Sequence, residues 1–172
     1  EITELAAKKS GIRKDYFDKA DEKPTDSFLY MLAMNTFTMN TSMNPFENTL
    51  SSDKLFNKQA EVIQEIADEN DCIIIGRCAG YILRDEPKCV KVYISADKDF
   101  RTKRIMASDH LDEKEAQKKI HSMDKKRDSY FGYYAGQDWK ACHTYDLAIS
   151  TSALGIDKAV DLICQYIELK FK

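Results

Sequence analysis

The 172-residue sequence lacks a long apolar run, and its longest unbroken apolar stretch, Phe28–Met34, has only seven residues. Because a membrane-spanning helix needs about 20 consecutive apolar residues, we expect no membrane association of that kind. The sequence also lacks an excess of one charge, since 26 basic residues accompany 29 acidic ones, for a net charge of -3. This balance does not suggest a general nucleic-acid binder or a protein that adheres to anionic membranes.

Metal-ligand spacing is absent as well. The five cysteines include no Cys-x-x-Cys pair, and the three histidines do not stand at zinc-finger distance from them. We therefore predict no metal site built by protein ligands. An odd number of cysteines without a disulfide pattern indicates a reducing compartment, so we expect a cytoplasmic protein.

The sequence does contain alternating helix and strand patterns. Apolar residues recur at helical spacing from Ser52, a predicted cap, to about Ala67, and Cys72–Ile75 follows as a short run typical of a strand buried on both faces. Two more strands are predicted, at residues 90–94 and 145–150. Further helices are predicted over Ile2 to Phe17 with a break at Gly11, Ala79 to Arg84, Asp97 to Ala107, Asp112 to Tyr134 and Asp157 to Phe171. Asp97 and Asp112 are predicted to cap the helices that they begin. This order predicts one α/β domain with a parallel sheet between helices.

One segment shows no clean period. Asn35 to Ser52 is rich in Asn, Thr, Ser and Met. We predict that it forms a loop or an insertion. If this segment determines substrate specificity, no sequence motif in it shows which substrate is bound.

Residues that follow the predicted strands are the first candidates for a binding site, because ligands of open parallel sheets bind at the carboxyl ends of the strands. Gly76 and Arg77 follow the first strand, and the guanidinium fork of an arginine suits a phosphate. A solvated loop arginine fits the pattern equally well. Thr151 and Ser152 follow the last strand, where small residues either border a purine ring or simply form a loop.

Basic residues form a second set of candidates. Arg101 and Arg104 are three residues apart, so they share one face of their predicted helix. The segment Lys118–Arg127 holds five basic residues against one acid, Asp124, and Asp124 and Arg127 are again three apart. An anion-binding lid has this composition, and so does a solvated helix face.

Aromatic residues come directly after this basic segment: Tyr130, Phe131, Tyr133, Tyr134 and Trp139. Basic residues interleaved with aromatics can bind single-stranded nucleic acid by stacking. Packing at a helix end is the more common use of such a group, and we expect packing here.

Taken together, these segments resemble the cytidylate-kinase-like family of P-loop kinases. The resemblance rests on Asp21–Pro24, Cys72–Arg84, Asp124–Arg127 with Tyr130–Tyr134 and Trp139, Tyr145–Ser152 and Leu154–Asp157. It covers nearly the whole chain, and the order of the motifs is more specific than any one of them.

The resemblance implies a fold and a reaction. The fold would be a three-layer α/β sandwich of the P-loop kinase type, a single domain over residues 1–172. Residues 24–52 would form an acceptor-side insertion and residues 109–140 a helical lid. The reaction would be Mg²⁺-dependent transfer of a phosphoryl group from ATP to a nucleoside monophosphate, with an acceptor like CMP or dCMP. The protein would bind small nucleotides and would bind neither nucleic acid nor membranes. It would be a monomer or a weak homodimer.

The resemblance also implies roles for individual residues. Arg77 would bind the acceptor or the transferring phosphate, Asp124 would hold the acceptor nucleotide, and Arg127 would reach the transferring phosphoryl group as the lid closes. Clustered arginines make physical sense there, because phosphoryl transfer depends mostly on positioning and charge neutralisation. Further contacts are implied for Arg101, Arg104 and Lys126 with the substrate, and for Thr151 and Ser152 with the adenine.

The sequence departs from the family pattern in two places. None of its six glycines stands in the phosphate-loop motif Gly-x-x-x-x-Gly-Lys-Ser/Thr, which the family carries near its start. We therefore hypothesise that a strand, loop and helix precede Glu1 in the natural protein. The second departure is Ile75, which occupies the place of an acid that helps to organise Mg²⁺ in cytidylate kinases.

These departures leave two alternatives open. One is a nucleotide-binding or regulatory module that has kept the fold and lost transfer. The other is a kinase for a different small acceptor, since fold alone does not fix function.

Overall fold

The computed structural model describes residues 2–10 and 45–172, and these fall into two compact units. The first unit lies within Glu1–Asp85 and Ser129–Ala135, and the second comprises Glu86–Asp128 and Gly136–Lys172. In chain order the described elements are α1 (Ile2–Ser10), α2 (Pro45–Glu69), α3 (Ala79–Ile82), β1 (Val92–Ser95), α4 (Lys98–Asp109), α5 (Glu113–Ala135), β2 (Leu147–Ser150), α6 (Thr151–Leu154) and α7 (Ile156–Lys170). A single turn of 3-10 helix lies at Cys142–Thr144.

The first unit has its core between α1 and α2. Ala6, Leu55 and Val62 are buried together, and Ile2 and Ile66 pack against them. The α2 residues of this core are separated by seven and four positions, so they share the one helix face that the sequence pattern predicts.

A polar residue interrupts the apolar face of α2. Gln59 is only 3% exposed, and its Oε1 accepts a hydrogen bond of 3.4 Å from the hydroxyl of Tyr130. Tyr130 and Tyr134 also pack on Phe56, with the Tyr134 ring stacked on it at a centroid distance of 3.9 Å. A buried amide needs such a partner, because an unpaired one is costly to desolvate. The aromatic residues at this end of α5 therefore serve packing, as expected.

The start of α2 differs from the prediction. The helix begins at Pro45 and not at Ser52, so the loop expected up to Ser52 is wrong for residues 45–52. Proline suits the first position of a helix because its φ is already helical and its missing N–H needs no partner there. The rest of the predicted loop, at 35–44, lies outside the described residues, as do Gly11 and Asp21–Pro24.

The predicted strand Cys72–Ile75 is also wrong. These residues are irregular in the structure, and Ile73 and Ile75 are 94% and 88% exposed. An apolar run becomes a strand only when a neighbour completes its hydrogen-bond ladder. Within the described ranges, β1 and β2 pair only with each other, so this segment has no ladder to join.

The second unit contains a parallel two-stranded sheet, whose register runs from Val92 opposite Leu147 to Ser95 opposite Ser150. Both strands were predicted, and both are shorter than expected. Ile149 is buried in β2, and Ala159 is buried in α7, which packs on that strand. The Lys91 N–H donates to Asp146 Oδ2 at 2.7 Å and fixes the start of the pairing.

Capping residues set the helices of this unit. Asp97 Oδ1 accepts from the N–H of Phe100 at 2.8 Å and starts α4. Asp112 Oδ1 accepts from the N–H of Glu115 at 2.8 Å, while Glu115 Oε2 accepts from the N–H of Asp112 at 3.3 Å, a reciprocal cap for α5. Both caps were predicted. Helix α5 ends before Gly136, whose φ of +66° is the left-handed conformation common after helices.

The described residues thus form a mixed helix and strand structure with a small parallel sheet, as the α/β prediction requires. The three-layer arrangement stays a prediction. Among the described helices, none combines the length and the apolar character that crossing a membrane requires.

Candidate functional site

Three of the predicted site residues meet in the second unit. Arg101 on α4 donates two hydrogen bonds to Asp124 on α5, from Nη1 to Oδ2 at 2.8 Å and from Nη2 to Oδ1 at 2.6 Å. Arg127 Nη1 lies 3.7 Å from Asp124 Oδ1, one helical turn away. A paired fork of this kind is the strongest geometry for an arginine and a carboxylate. The cluster is therefore built by one contact between helices and one spacing within α5.

Arg101 and Arg127 differ in how exposed they are and in how many of their N–H donors are already paired. The Asp124 and Arg101 side chains are 19% and 33% exposed, whereas Arg127 is 53% exposed. Both terminal nitrogens of Arg101 donate hydrogen bonds to Asp124. Arg127 makes a longer contact, so most of its N–H donors remain available to an anion from solvent.

The pair formed by Asp124 and Arg101 is ionised at neutral pH. Hydrogen bonds from Arg101, together with the charges of Arg101, Arg127 and Lys140, lower the pKa of the Asp124 carboxyl against the opposing effect of burial. The same hydrogen bonds raise the pKa of Arg101. Three cations thus act on one carboxylate, and the locally positive field favours an anionic ligand.

An aromatic group borders the cluster. The guanidinium carbon of Arg127 lies 5.9 Å from the centre of the Trp139 ring. Tyr93 of β1 meets the Trp139 ring edge to face at 6.0 Å, and its ring lies tilted against that of Tyr145 at 5.1 Å. Trp139 was expected only to pack, and the sequence pattern did not identify it as a partner of Arg127. The one available signal was that the single tryptophan follows the basic segment closely.

Arg77 belongs to the first unit and lies in a strained turn. Gly76, Arg77 and Cys78 have φ angles of +72°, +57° and +54°, so three successive residues are left-handed. The Ala79 N–H donates to the Gly76 carbonyl at 3.0 Å, which closes the turn at the start of α3. Non-glycine residues in this conformation are uncommon and concentrate at functional sites. The geometry is compatible with the predicted role of Arg77.

The surroundings of Arg77 include the buried side chain of Cys78 and the partly buried side chain of Tyr130. Burial raises the pKa of the neighbouring Cys78 thiol to about 12, so this cysteine is an inert thiol at neutral pH. Burial also raises the pKa of Tyr130, an effect that the charge of Arg77 opposes.

The contacts described for the remaining predicted site residues do not involve the Asp124 cluster. Arg104 is exposed on α4, and Lys126 is partly buried on α5. Thr151 Oγ1 donates to the Ser95 carbonyl at 3.0 Å, and Ser152 Oγ accepts from the N–H of Asp97 at 3.0 Å. The two hydroxyl groups therefore link the carboxyl ends of β1 and β2, a structural use that sequence spacing did not reveal.

Comparison with known proteins places these observations in a family. The model of the cytidylate kinase-like family matches residues 1–153. The chain belongs to the cytidylate kinase-like family. The resemblance inferred from the sequence motifs is thereby confirmed.

Relatives within the cytidylate kinases are distant. The chain is 29% identical over 110 residues to the cytidylate kinase of Sulfolobus acidocaldarius, covering 64% of this chain and 60% of that protein. It is 30% identical over 112 residues to the cytidylate kinase of Pyrobaculum neutrophilum, covering 62% and 60%. The chain thus spans about 60% of the length of these curated relatives.

A solved structure is also similar. An uncharacterized protein from Eubacterium ventriosum shares 36% identity with the chain at a TM-score of 0.65, over 67% of this chain and 73% of that one. The two proteins therefore share a fold over about two thirds of this chain.

Members of this kinase family generally use Mg²⁺, but the described residues do not fit such an ion. The described ranges contain no group of three or more His, Cys, Asp or Glu side chains that could hold a metal. Both Asp124 oxygens accept from Arg101, and Ile75 offers no ligand atom.

Replacing Asp124 with Asn hardly changes the volume of the side chain, but it removes the charge that both arginines face. We expect D124N to lower the free energy of unfolding at pH 7 by about 1–2 kcal/mol, because hydrogen bonds to a charged group are lost. Since the folded pKa of Asp124 is lowered, its contribution is complete above the unfolded value of about 3.9 and is lost as the pH falls through the folded value. Urea unfolding between pH 7 and pH 2 measures this difference.

Asp128 provides the matched control, since it is an exposed acid one turn further along the same helix. We expect D128N to change the free energy of unfolding by less than about 0.5 kcal/mol. Equal effects of D124N and D128N at pH 7 would show that the paired hydrogen bonds to Asp124 do not stabilise the fold.

Strain at Arg77 makes a second prediction. Both R77G and R77A remove the guanidinium, but only glycine adopts the left-handed conformation without steric cost. We expect R77G to be more stable than R77A by up to about 1 kcal/mol, after allowance for the greater freedom of glycine in the unfolded chain. Denaturant unfolding of the two variants side by side measures the difference, and a more stable R77A would show that the turn is unstrained.

Proposed function

We propose that the protein transfers a phosphoryl group from ATP to a nucleoside monophosphate, with CMP or dCMP as the acceptor. The observation that carries this proposal is the half-exposed guanidinium of Arg127, held beside Asp124 in a chain of the cytidylate kinase-like family. The curated relatives named above are cytidylate kinases, which supports the choice of acceptor.

The proposed mechanism divides the work between the two arginines of the cluster. Arg127 neutralises charge on the transferring phosphoryl group, since that transition state is stabilised mostly by positioning and electrostatics. Arg101 orients the Asp124 carboxylate and is not itself a phosphate contact, because its fork is already engaged. Asp124 keeps free lone pairs with which to accept a hydrogen bond from a donor group of the acceptor nucleotide.

Other residues have supporting roles in the proposal. Arg77 binds acceptor phosphate from its constrained turn, and residues 109–140 act as the lid. Arg104 and Lys126 add positive charge near the substrate, and Thr151 and Ser152 border the adenine of ATP while they link the strand ends.

A second candidate is a nucleotide-binding module that does not catalyse transfer. The observation that favours it is Ile75, an exposed apolar residue in the place of the acid that the family resemblance implies for metal organisation. Under this alternative the arginine cluster would bind a nucleotide without forming a diphosphate.

Turnover by the full-length natural protein tests the proposal. A panel of CMP, dCMP, UMP, AMP and GMP with ATP and Mg²⁺ is expected to give ADP and a nucleoside diphosphate, fastest with CMP or dCMP. We expect R127A to lower kcat by at least about 100-fold, as the loss of a transition-state donor does. R127K should restore little, because an ammonium group lacks the planar fork.

Lys125 is the control, because it is an exposed cation on the same helix. K125A should leave kcat within about twofold, which is the size expected for a screened surface charge. Saturable CMP binding by calorimetry without any diphosphate product would contradict the proposal and support the binding module.

A further inference from the structure

The guanidinium of Arg127 is held by two groups of different chemistry. Asp124 Oδ1 lies 3.7 Å from Nη1, and the ring centre of Trp139 lies 5.9 Å from Cζ. A carboxylate occupies the N–H donors that it contacts. An aromatic face attracts the cation through the ring electrons and leaves the N–H donors at the guanidinium edge free.

Trp139 is itself well anchored. Its carbonyl accepts a hydrogen bond of 2.9 Å from the Tyr145 hydroxyl, and its ring meets Tyr93 edge to face. Tyr93 is part of β1, whose pairing with β2 fixes its position. The indole is therefore tied to the sheet and not to the helix that carries Arg127.

We propose that Trp139 is a positioning residue for Arg127, an inference that rests on the proposed function. A half-exposed arginine loses side-chain entropy when it is fixed on a phosphate. An indole that already holds the guanidinium removes part of that loss in advance. Trp139 thus holds the Arg127 guanidinium while leaving its N–H donors free, whereas Asp124 alone would engage those donors.

Lys140 supplies a matched comparison. Its Nζ also lies 5.9 Å from the Trp139 ring centre, so the indole contacts two cations at the same distance. Only Arg127 has the fork geometry that the proposed reaction uses. Coupling to Trp139 in catalysis is therefore expected for Arg127 and not for Lys140.

The test is a double-mutant cycle in the full-length protein with CMP and ATP. W139L should lower kcat by about two- to fivefold, the size of an exposed cation–π contact, with a smaller change in KM for CMP. W139F keeps a ring face and should recover most of that loss. In the R127A background W139L should have no further effect on kcat, whereas in the K140M background it should have its full effect.

Thermal or urea unfolding of the same variants separates positioning from general stability. W139F and W139L are both expected to unfold more easily than the parent, so a kcat that simply follows stability in every background would overturn the inference. Equal losses in kcat from W139L with and without Arg127 would overturn it too.

A protein without turnover would refute the proposed function separately. The cycle would then be measured through the dissociation constant for ATP by calorimetry, because Arg127 is proposed to contact the phosphoryl group of ATP. The same two- to fivefold coupling between positions 127 and 139 is expected. Absence of ATP binding, or ATP binding without that coupling, would overturn the inference as well.

Discussion

The paired hydrogen bonds between Arg101 and Asp124 are the interaction on which the candidate site depends. They join α4 to α5, two helices that are otherwise set by their own caps at Asp97 and Asp112. Leaving a partly buried guanidinium or carboxylate without its partner is unfavourable, so each residue fixes the rotamer of the other. Because Asp124 is held in this way, the next turn of α5 presents Arg127 at a defined place beside the tryptophan ring.

The two arginines of the cluster have different roles. Arg101 pairs with Asp124 and holds the site together, whereas Arg127 is half exposed and keeps N–H donors for an anion. A carboxylate between two arginines leaves a local excess of positive charge in a protein whose net charge is negative. An anionic ligand is therefore attracted to this place in particular, and the whole surface need not be basic.

Local rules predicted a large part of the described structure. Asp97 and Asp112 were recognisable as caps, β1 and β2 as short apolar strands, and the spacing of Asp124 and Arg127 as one helix face. What failed was non-local. An apolar run such as Cys72–Ile75 indicates burial only if a strand neighbour is present, and sequence pattern carries no information about that neighbour. The Arg101 partner lies 23 positions away, and the hydroxyl of Thr151 bonds a carbonyl 56 positions away, so neither contact was visible in the spacing.

A crystal structure of the full-length protein with bound CMP and a non-hydrolysable ATP analogue is the most direct test of this arrangement. We expect an oxygen of the transferring phosphoryl group about 2.7–2.9 Å from the Arg127 guanidinium, with both Arg101 hydrogen bonds to Asp124 intact. A phosphate bound by Arg101 in place of Asp124, or a transferring phosphoryl group bound away from Arg127, would contradict it.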